Sequence, residues 1–171
     1  FPELCLTGYT LQDLFFQSRV LNEARNQLIK IAEATKSLNM MVVVGLPLEV
    51  KNKLYNCGAV LFDGSILGVI PKTYLPNYHE FYEARHFASA PKENIDIKIG
   101  NNEYISFGSH IIFRDVNHPH LQIGVEICED VWAPLPPSTN HCLNGATLIL
   151  NPSASNDLTG KSDYRRQLIS T

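Results

Sequence analysis

No apolar run in this sequence approaches the roughly 20 residues that a bilayer-spanning helix requires, so no membrane partner is expected. A basic surplus is missing too, since 14 Lys and Arg stand against 17 Asp and Glu for a formal charge of −3. A binder of phosphate backbones needs clustered cations to displace counterions, so nucleic acid is not an expected partner either. Cysteine is scarce: Cys5, Cys57, Cys128 and Cys142 are the four present, with no C-x-x-C spacing. A chain of this size does not depend on disulfide staples, and reduced thiols in the cytoplasm are the expectation. The histidines at 79, 86, 110, 118, 120 and 141 lack the regular spacing of a structural zinc site, so no metal is expected. Neither G-x-G-x-x-G nor G-x-x-x-x-G-K-[ST] occurs, which removes any local case for nucleotide phosphate binding.

What is present is an ordinary globular composition, 44% hydrophobic and 18% charged, long enough to bury a sizeable core as one domain over residues 1–171. From Arg19 to Asn39, Leu21, Ala24, Leu28, Ile31, Ala34 and Leu38 recur at helical spacing and predict an amphipathic helix. Met41 to Leu46 is a β-branched apolar run, expected as a strand covered on both faces. Tyr55 to Phe62 and Ile66 to Ile70 flank Asp63-Gly64 and read as a β-hairpin. Ile95 to Ile99 and Glu103 to Phe107 flank Gly100-Asn101-Asn102 as a second hairpin. Leu121 to Ile127 and Thr147 to Leu150 are further buried strands, with a short helix between them over Ser138 to Gly145. Ser162 or Asp163 is placed to cap a final helix. The stretch after Pro71 has no clean period and reads as a loop with one short helical turn. The chain opens at Phe1 without Met, inside an apolar motif, and closes in a young helix, so a piece of a longer polypeptide is expected.

Three positions carry candidate chemistry. Cys128 follows a strand directly in GVEICEDVW, where an elbow exposes a nucleophile and aims the next backbone N–H at an attacked carbonyl oxygen. The competing reading is a buried cysteine packed as a small hydrophobe. Lys72 follows an apolar strand and a proline; it is either a solvated surface cation or, beside Cys128, a stabiliser of thiolate and oxyanion. Glu3, bracketed by Phe1, Pro2 and Leu4, is either a rim carboxylate or a buried one, whose raised pKa would suit general acid–base work near neutrality.

Together FPELCLTGY, IPKTYLPNYHEFYEARHF and GVEICEDVW occur in the order of the three catalytic segments of the nitrilase, or carbon–nitrogen hydrolase, superfamily, which the chain resembles over nearly its whole length. TGYTLQDLF, YLPNYHEFYE, ICEDVWAPLPPS and NPSAS resemble most the glutaminase domains of bacterial glutamine-dependent NAD(+) synthetases. The resemblance implies an α/β fold, an αββα sandwich incomplete at both ends, that hydrolyses the side-chain amide of glutamine. It implies Glu3 as general base, Cys128 as nucleophile forming a γ-glutamyl thioester, and Lys72 with the Glu129 backbone N–H as oxyanion donors. Glu83, in Glu-x-Arg-x-Phe with Arg85 and Phe87, matches the superfamily's second glutamate, which helps hold the lysine and the reacting amide. Tyr78, Phe81, Trp132 and Ser155 fall on segments that surround the glutamine. Lys161 stands near a point where the family carries arginine; it keeps the charge and loses bidentate geometry toward a carboxylate.

The resemblance further implies partners beyond glutamine: a synthetase domain of the same polypeptide, and further copies in a homo-oligomer. No cofactor is implied on this chain; ATP, Mg2+ and deamido-NAD are implied for the synthetase domain. Two other readings stand beside this one. A free-standing amidase, nitrilase or carbamoylase would use the same three residues on another substrate, and a non-catalytic interaction domain would keep the fold alone.

Overall fold

A computed structural model describes residues 1–100 and 104–170. Helix α1 (Ser18–Ala34) turns its buried residues Ala24, Leu28 and Ala32 inward and leaves its charged side outside. It ends five residues before the predicted Asn39. Thr35 bonds back to the Ala32 carbonyl through its hydroxyl at 2.8 Å, and Ser37 and Asn39 take positive φ of 64° and 46°, which no right-handed helix accommodates. Leu38, apolar but exposed, does not belong to the buried stripe.

Strand β1 (Val42–Val50) is nine residues long and continues past the predicted Leu46 through Pro47. Proline is tolerated because β1 is an edge strand, where one row of N–H groups has no ladder to complete. A hairpin through Lys51 and Asn52, at φ 49° and 59°, leads into β2 (Lys53–Phe62); this turn is not predicted from sequence. The predicted hairpin at Asp63-Gly64, at φ 46° and 83°, joins β2 to β3 (Ser65–Pro71). Strands β4 (Ile95–Lys98) and β5 (Tyr104–Phe107) pair antiparallel, as the second predicted hairpin requires. Its turn residues Asn101 and Asn102, with Glu103, lie outside the described residues. These strands form a sheet in the order β1-β2-β3-β5-β4, closed at its middle by a parallel β3–β5 contact at Val69 and Phe107.

A second sheet contains β6 (Ile112–Arg114), not predicted, then β7 (Gln122–Val125) and β8 (Leu148–Leu150) in that order. Helix α2 (Pro137–Leu143) matches the expected short helix, with Pro137 in its first turn where a missing N–H removes no bond. Helix α3 (Lys161–Ser170) starts one residue before Ser162 and two before Asp163, so both predicted caps lie inside its first turn instead of capping it.

Alternation along the strands sets the layers. Val42, Val44, Leu46 and Leu48 of β1, with Tyr55, Cys57, Ala59 and Leu61 of β2, pack with Leu28 and Ala32 of α1. The opposite face of the first sheet presents Val43, Val60 and Ile70 to Phe113, Ile123 and Val125 of the second. Gly124 of β7 points the other way, where a Cβ would meet the ring of His141 on α2 at 2.8 Å. The order is therefore helix, sheet, sheet, helix, the α/β sandwich expected from the resemblance. No helix among the described residues is long and apolar enough to cross a membrane.

Candidate active site

Three segments meet beside the ends of β3 and β7, namely residues 2–6, the loop after β3 and the turn after β7, and each delivers a side chain that its local sequence alone does not bury. Residues 2–6 lie flat across β1 at Gly45: the Leu6 N–H donates to the Gly45 carbonyl at 3.1 Å, and a Cβ on Gly45 would sit 2.3 Å from the Leu4 nitrogen. That close approach delivers Glu3, 3% exposed, to the interior. Lys72 leaves the end of β3 fully buried, its N–H bonded to the Asn56 carbonyl at 2.8 Å. Glu83 heads a short 3-10 turn (Glu83–Arg85) in the loop after Pro71, where one helical turn is expected.

The three polar groups form one cluster. The Lys72 Nζ donates to Glu3 Oε1 and to Glu83 Oε1, both at 2.6 Å. Asn56 Nδ2 donates to Glu3 Oε1 at 2.7 Å and to Glu83 Oε2 at 3.2 Å, and the Tyr9 hydroxyl donates to Glu83 Oε1 at 2.7 Å. The second Glu3 oxygen accepts the Ala154 N–H at 3.0 Å. Burial opposes the charge on Lys72, but the Glu3 and Glu83 carboxylates outweigh it and hold the ammonium above its ordinary pKa. Burial raises Glu83 against the pull of Lys72, and the Glu3 charge adds to the rise. Burial, then the neighbouring Glu83 carboxylate, also raises the Tyr9 phenol, which stays a donor. Two buried carboxylates around one ammonium are stable only because each is hydrogen-bonded elsewhere, and removing the cation alone would leave uncompensated charge.

Cys128 opens a 3-10 turn (Cys128–Trp132) two residues beyond the end of β7 and holds φ at 45°, a left-handed value that a non-glycine residue adopts only when its surroundings impose it. Its N–H is pinned to the Pro152 carbonyl at 3.1 Å. Burial pushes the thiol up to about 12, the Glu3 charge adds to the rise, and Lys72 and the Ala154 N–H oppose it. The resting sulfur is thus a thiol beside a carboxylate rather than a preformed thiolate, an arrangement in which Glu3 can take the proton as attack occurs.

Above Cys128 opens a cavity of about 240 Å3 lined by Pro76, Tyr78, Phe81, Glu129, Trp132, Ser155, Lys161 and Tyr164. All five side chains singled out from sequence for substrate contact thus share one cavity with the candidate nucleophile. The Tyr78 hydroxyl donates to the Glu129 carboxylate at 2.9 Å, and burial with this bond pushes the phenol up to about 12. Lys161 Nζ donates to Ser155 Oγ at 2.7 Å and to Asn156 Oδ1, and stands 5.5 Å from the Trp132 ring centre. Tyr164 stacks on Trp132 with ring centres 5.6 Å apart. Among the described residues no group of three or more His, Cys, Asp or Glu is arranged to hold a metal ion.

Four participants are absent from the sequence reading. Asn56 carried a signal, a lone amide inside the apolar strand LYNCGAVLF, where burial demands a partner. Tyr9 and Tyr164, and Asp130 in its bonds to Thr73 and Tyr74, reach their partners through tertiary approach and carried none. Asp130 is buried, its Oδ2 accepting the Ile127 N–H at 2.9 Å and its Oδ1 the Thr73 and Tyr74 N–H groups at 3.0 and 2.7 Å. Burial pushes it up to about 7 against these bonds.

Residues 1–169 match the family described as Carbon-nitrogen hydrolase. The chain belongs to the carbon–nitrogen hydrolase family. It is 39% identical over 168 residues to the glutamine-dependent NAD(+) synthetase of Mycobacterium tuberculosis, covering 98% of this chain and 25% of that protein. Identity to the enzyme of the same name from Thermotoga maritima is 38% over 171 residues, covering 99% of this chain and 26% of that protein. The crystal structure of a glutamine-dependent NAD(+) synthetase from Cytophaga hutchinsonii superposes with a TM-score of 0.84 at 33% identity, over 98% of this chain and 26% of that one. This carbon–nitrogen hydrolase chain therefore spans about a quarter of the length of the relatives it matches.

Proposed function

We propose that this domain hydrolyses the side-chain amide of glutamine through a thioester on Cys128 and supplies the ammonia to a synthetase domain of the same polypeptide. The observation that carries the reading is Cys128 on the wall of a cavity rimmed by Tyr78, Glu129, Ser155 and Lys161, with the buried Glu3–Lys72 pair acting on its thiol. These three residues supply amide chemistry, and the rim supplies partners of both signs for the α-amino and α-carboxylate groups, whose unpaired burial would be costly.

In the first half-reaction Glu3 takes the Cys128 proton as sulfur attacks the amide carbon. Negative charge moves to the amide oxygen, where Lys72 retains one N–H beyond the two given to Glu3 and Glu83. The Glu129 backbone N–H, next after the nucleophile, is the second donor to that oxygen. The C–N bond breaks, Glu3 returns its proton to the leaving nitrogen, and ammonia departs. Water then enters, gives its proton to Glu3 and attacks the thioester carbon; the C–S bond breaks, the thiol recovers its proton from Glu3, and glutamate leaves. Glu83, Asn56 and Tyr9 hold the lysine and the base in place throughout.

ATP, Mg2+ and deamido-NAD belong in this reading to the synthetase domain. The test is ammonia release from glutamine by the full-length parent enzyme, expected to fall by at least on the order of 10^3-fold in Cys128→Ala. Turnover unchanged in that variant would overturn the reading.

A further inference from the structure

Two of the groups that act on the substrate come from segments far apart in sequence. Lys72 lies at the end of β3 in the first sheet and Cys128 follows β7 in the second. For attack and charge stabilisation to coincide, these segments must hold their spacing to a fraction of an ångström. A single side chain bonds to both. Asp130, 1% exposed, accepts the N–H of Ile127, the residue before Cys128, and the N–H groups of Thr73 and Tyr74, the two residues after Lys72.

We propose that Asp130 is a positioning residue that locks the lysine segment to the nucleophile elbow, and so fixes the geometry of thioester formation without touching substrate. Its chemistry suits that task. All three bonds are accepted from backbone N–H groups, so both carboxylate oxygens act as acceptors and each serves one segment. Oδ2 closes the 3-10 turn on which Cys128 holds its left-handed φ, while Oδ1 reaches across 56 and 57 residues of chain. A neutral amide of the same size fails in one of two ways. Placing its oxygen toward Thr73 and Tyr74 turns its NH2 against the Ile127 N–H, and the reverse orientation abandons the lysine segment. Local turn closure alone would need only the Ile127 bond.

The inference rests on the reading that Lys72 and Cys128 act together on an amide. Its test is glutamine hydrolysis by the full-length enzyme carrying Asp130→Asn, with backbone amide exchange measured in parallel. The expected result is a kcat lower by on the order of 100-fold with KM changed less than about threefold, because the cavity rim is untouched. Exchange at Ile127 or at Thr73 and Tyr74 should rise while that of α1 stays unchanged. A kcat within about twofold of wild type would overturn the proposal. So would a loss accompanied by a general rise in exchange through both sheets, since that marks a merely structural role.

If Asp130→Asn does not fold, Asp130→Glu keeps the charge on a longer arm that cannot satisfy both segments at once. It is expected to show the same loss of kcat at unchanged KM, and wild-type kcat in it would overturn the proposal. Failure of the functional reading is separately visible, since wild-type enzyme would then release no ammonia from glutamine. The comparison of variants would in that case be made on whichever amide the wild type cleaves.

Discussion

The cysteine is set up to lose its proton late. Desolvation dominates its environment and Glu3 adds to the same effect, so the thiol is pushed up to about 12 and the protonated form dominates at pH 7. A preformed thiolate paired with Lys72 would react with a small haloacetamide at a rate independent of pH above about 6. The expected outcome is different: alkylation of Cys128 should climb about tenfold per pH unit from 7 to 10 without a plateau, followed by mass spectrometry of the adduct. A flat profile across that range would show that Lys72 has won over burial. The sign of the stability effect follows from the same shift. The unfolded thiol loses its proton near 9 and the folded one near 12, so the folded state binds the extra proton and its stability falls as pH rises between those values.

At the scale of elements, the site depends on how closely one loop can lie on one strand. Residues 2–6 carry Glu3, the proposed general base, and rest on β1 where Gly45 has no side chain; an added methyl would meet the Leu4 nitrogen at 2.3 Å and the Pro2 carbonyl oxygen at 2.6 Å. Both obstacles are backbone, so the loop must lift rather than a side chain rotate. Gly45→Ala is therefore expected to move Glu3 away from Lys72 and Cys128, lowering kcat for amide hydrolysis by on the order of 100-fold, as a displacement near 1 Å does. Wild-type kcat in this variant would mean that the loop has room the geometry denies. The fold survives in this expectation because the face of β1 turned to α1 is unaffected, and an unchanged far-ultraviolet circular dichroism spectrum would check it. This dependence was not legible beforehand. The strand itself was readable from its β-branched run, but nothing in MVVVGL says that another segment crosses at its glycine. Periodicity reports which face of an element is buried and is silent on what buries it, which is also why Leu38 extended the predicted helix too far and why β6, three residues long, went unread.

The whole molecule shows the same division between local and long-range information. Glu3, Lys72 and Cys128 were readable because three short motifs occur together in the order of a known family, while the local context of each left a competing reading open. Tyr9, Asn56 and Asp130, which brace the cluster around them, bond across 74, 27 and 57 residues respectively and exist as partners only once those distant segments meet in the fold. The cavity sits at one end of that sandwich, and the chain spans about a quarter of the relatives it matches, so under the proposed reading the ammonia produced here is consumed elsewhere in the polypeptide. If that division of labour holds, damage confined to the amide-hydrolysing site must be reversible by supplying its product. Full-length enzyme with Cys128→Ala is expected to form no NAD from glutamine, ATP and deamido-NAD. With an ammonium salt replacing glutamine, it should form NAD at a rate within about twofold of wild type, because the substituted atom is a single sulfur in a site the second reaction does not use. The measurement is NAD formation under both nitrogen sources. Equal loss with glutamine and with ammonium would mean that Cys128 serves the synthetase reaction itself or the folding of the whole chain, and would remove the separation of the two chemistries on which the reading depends.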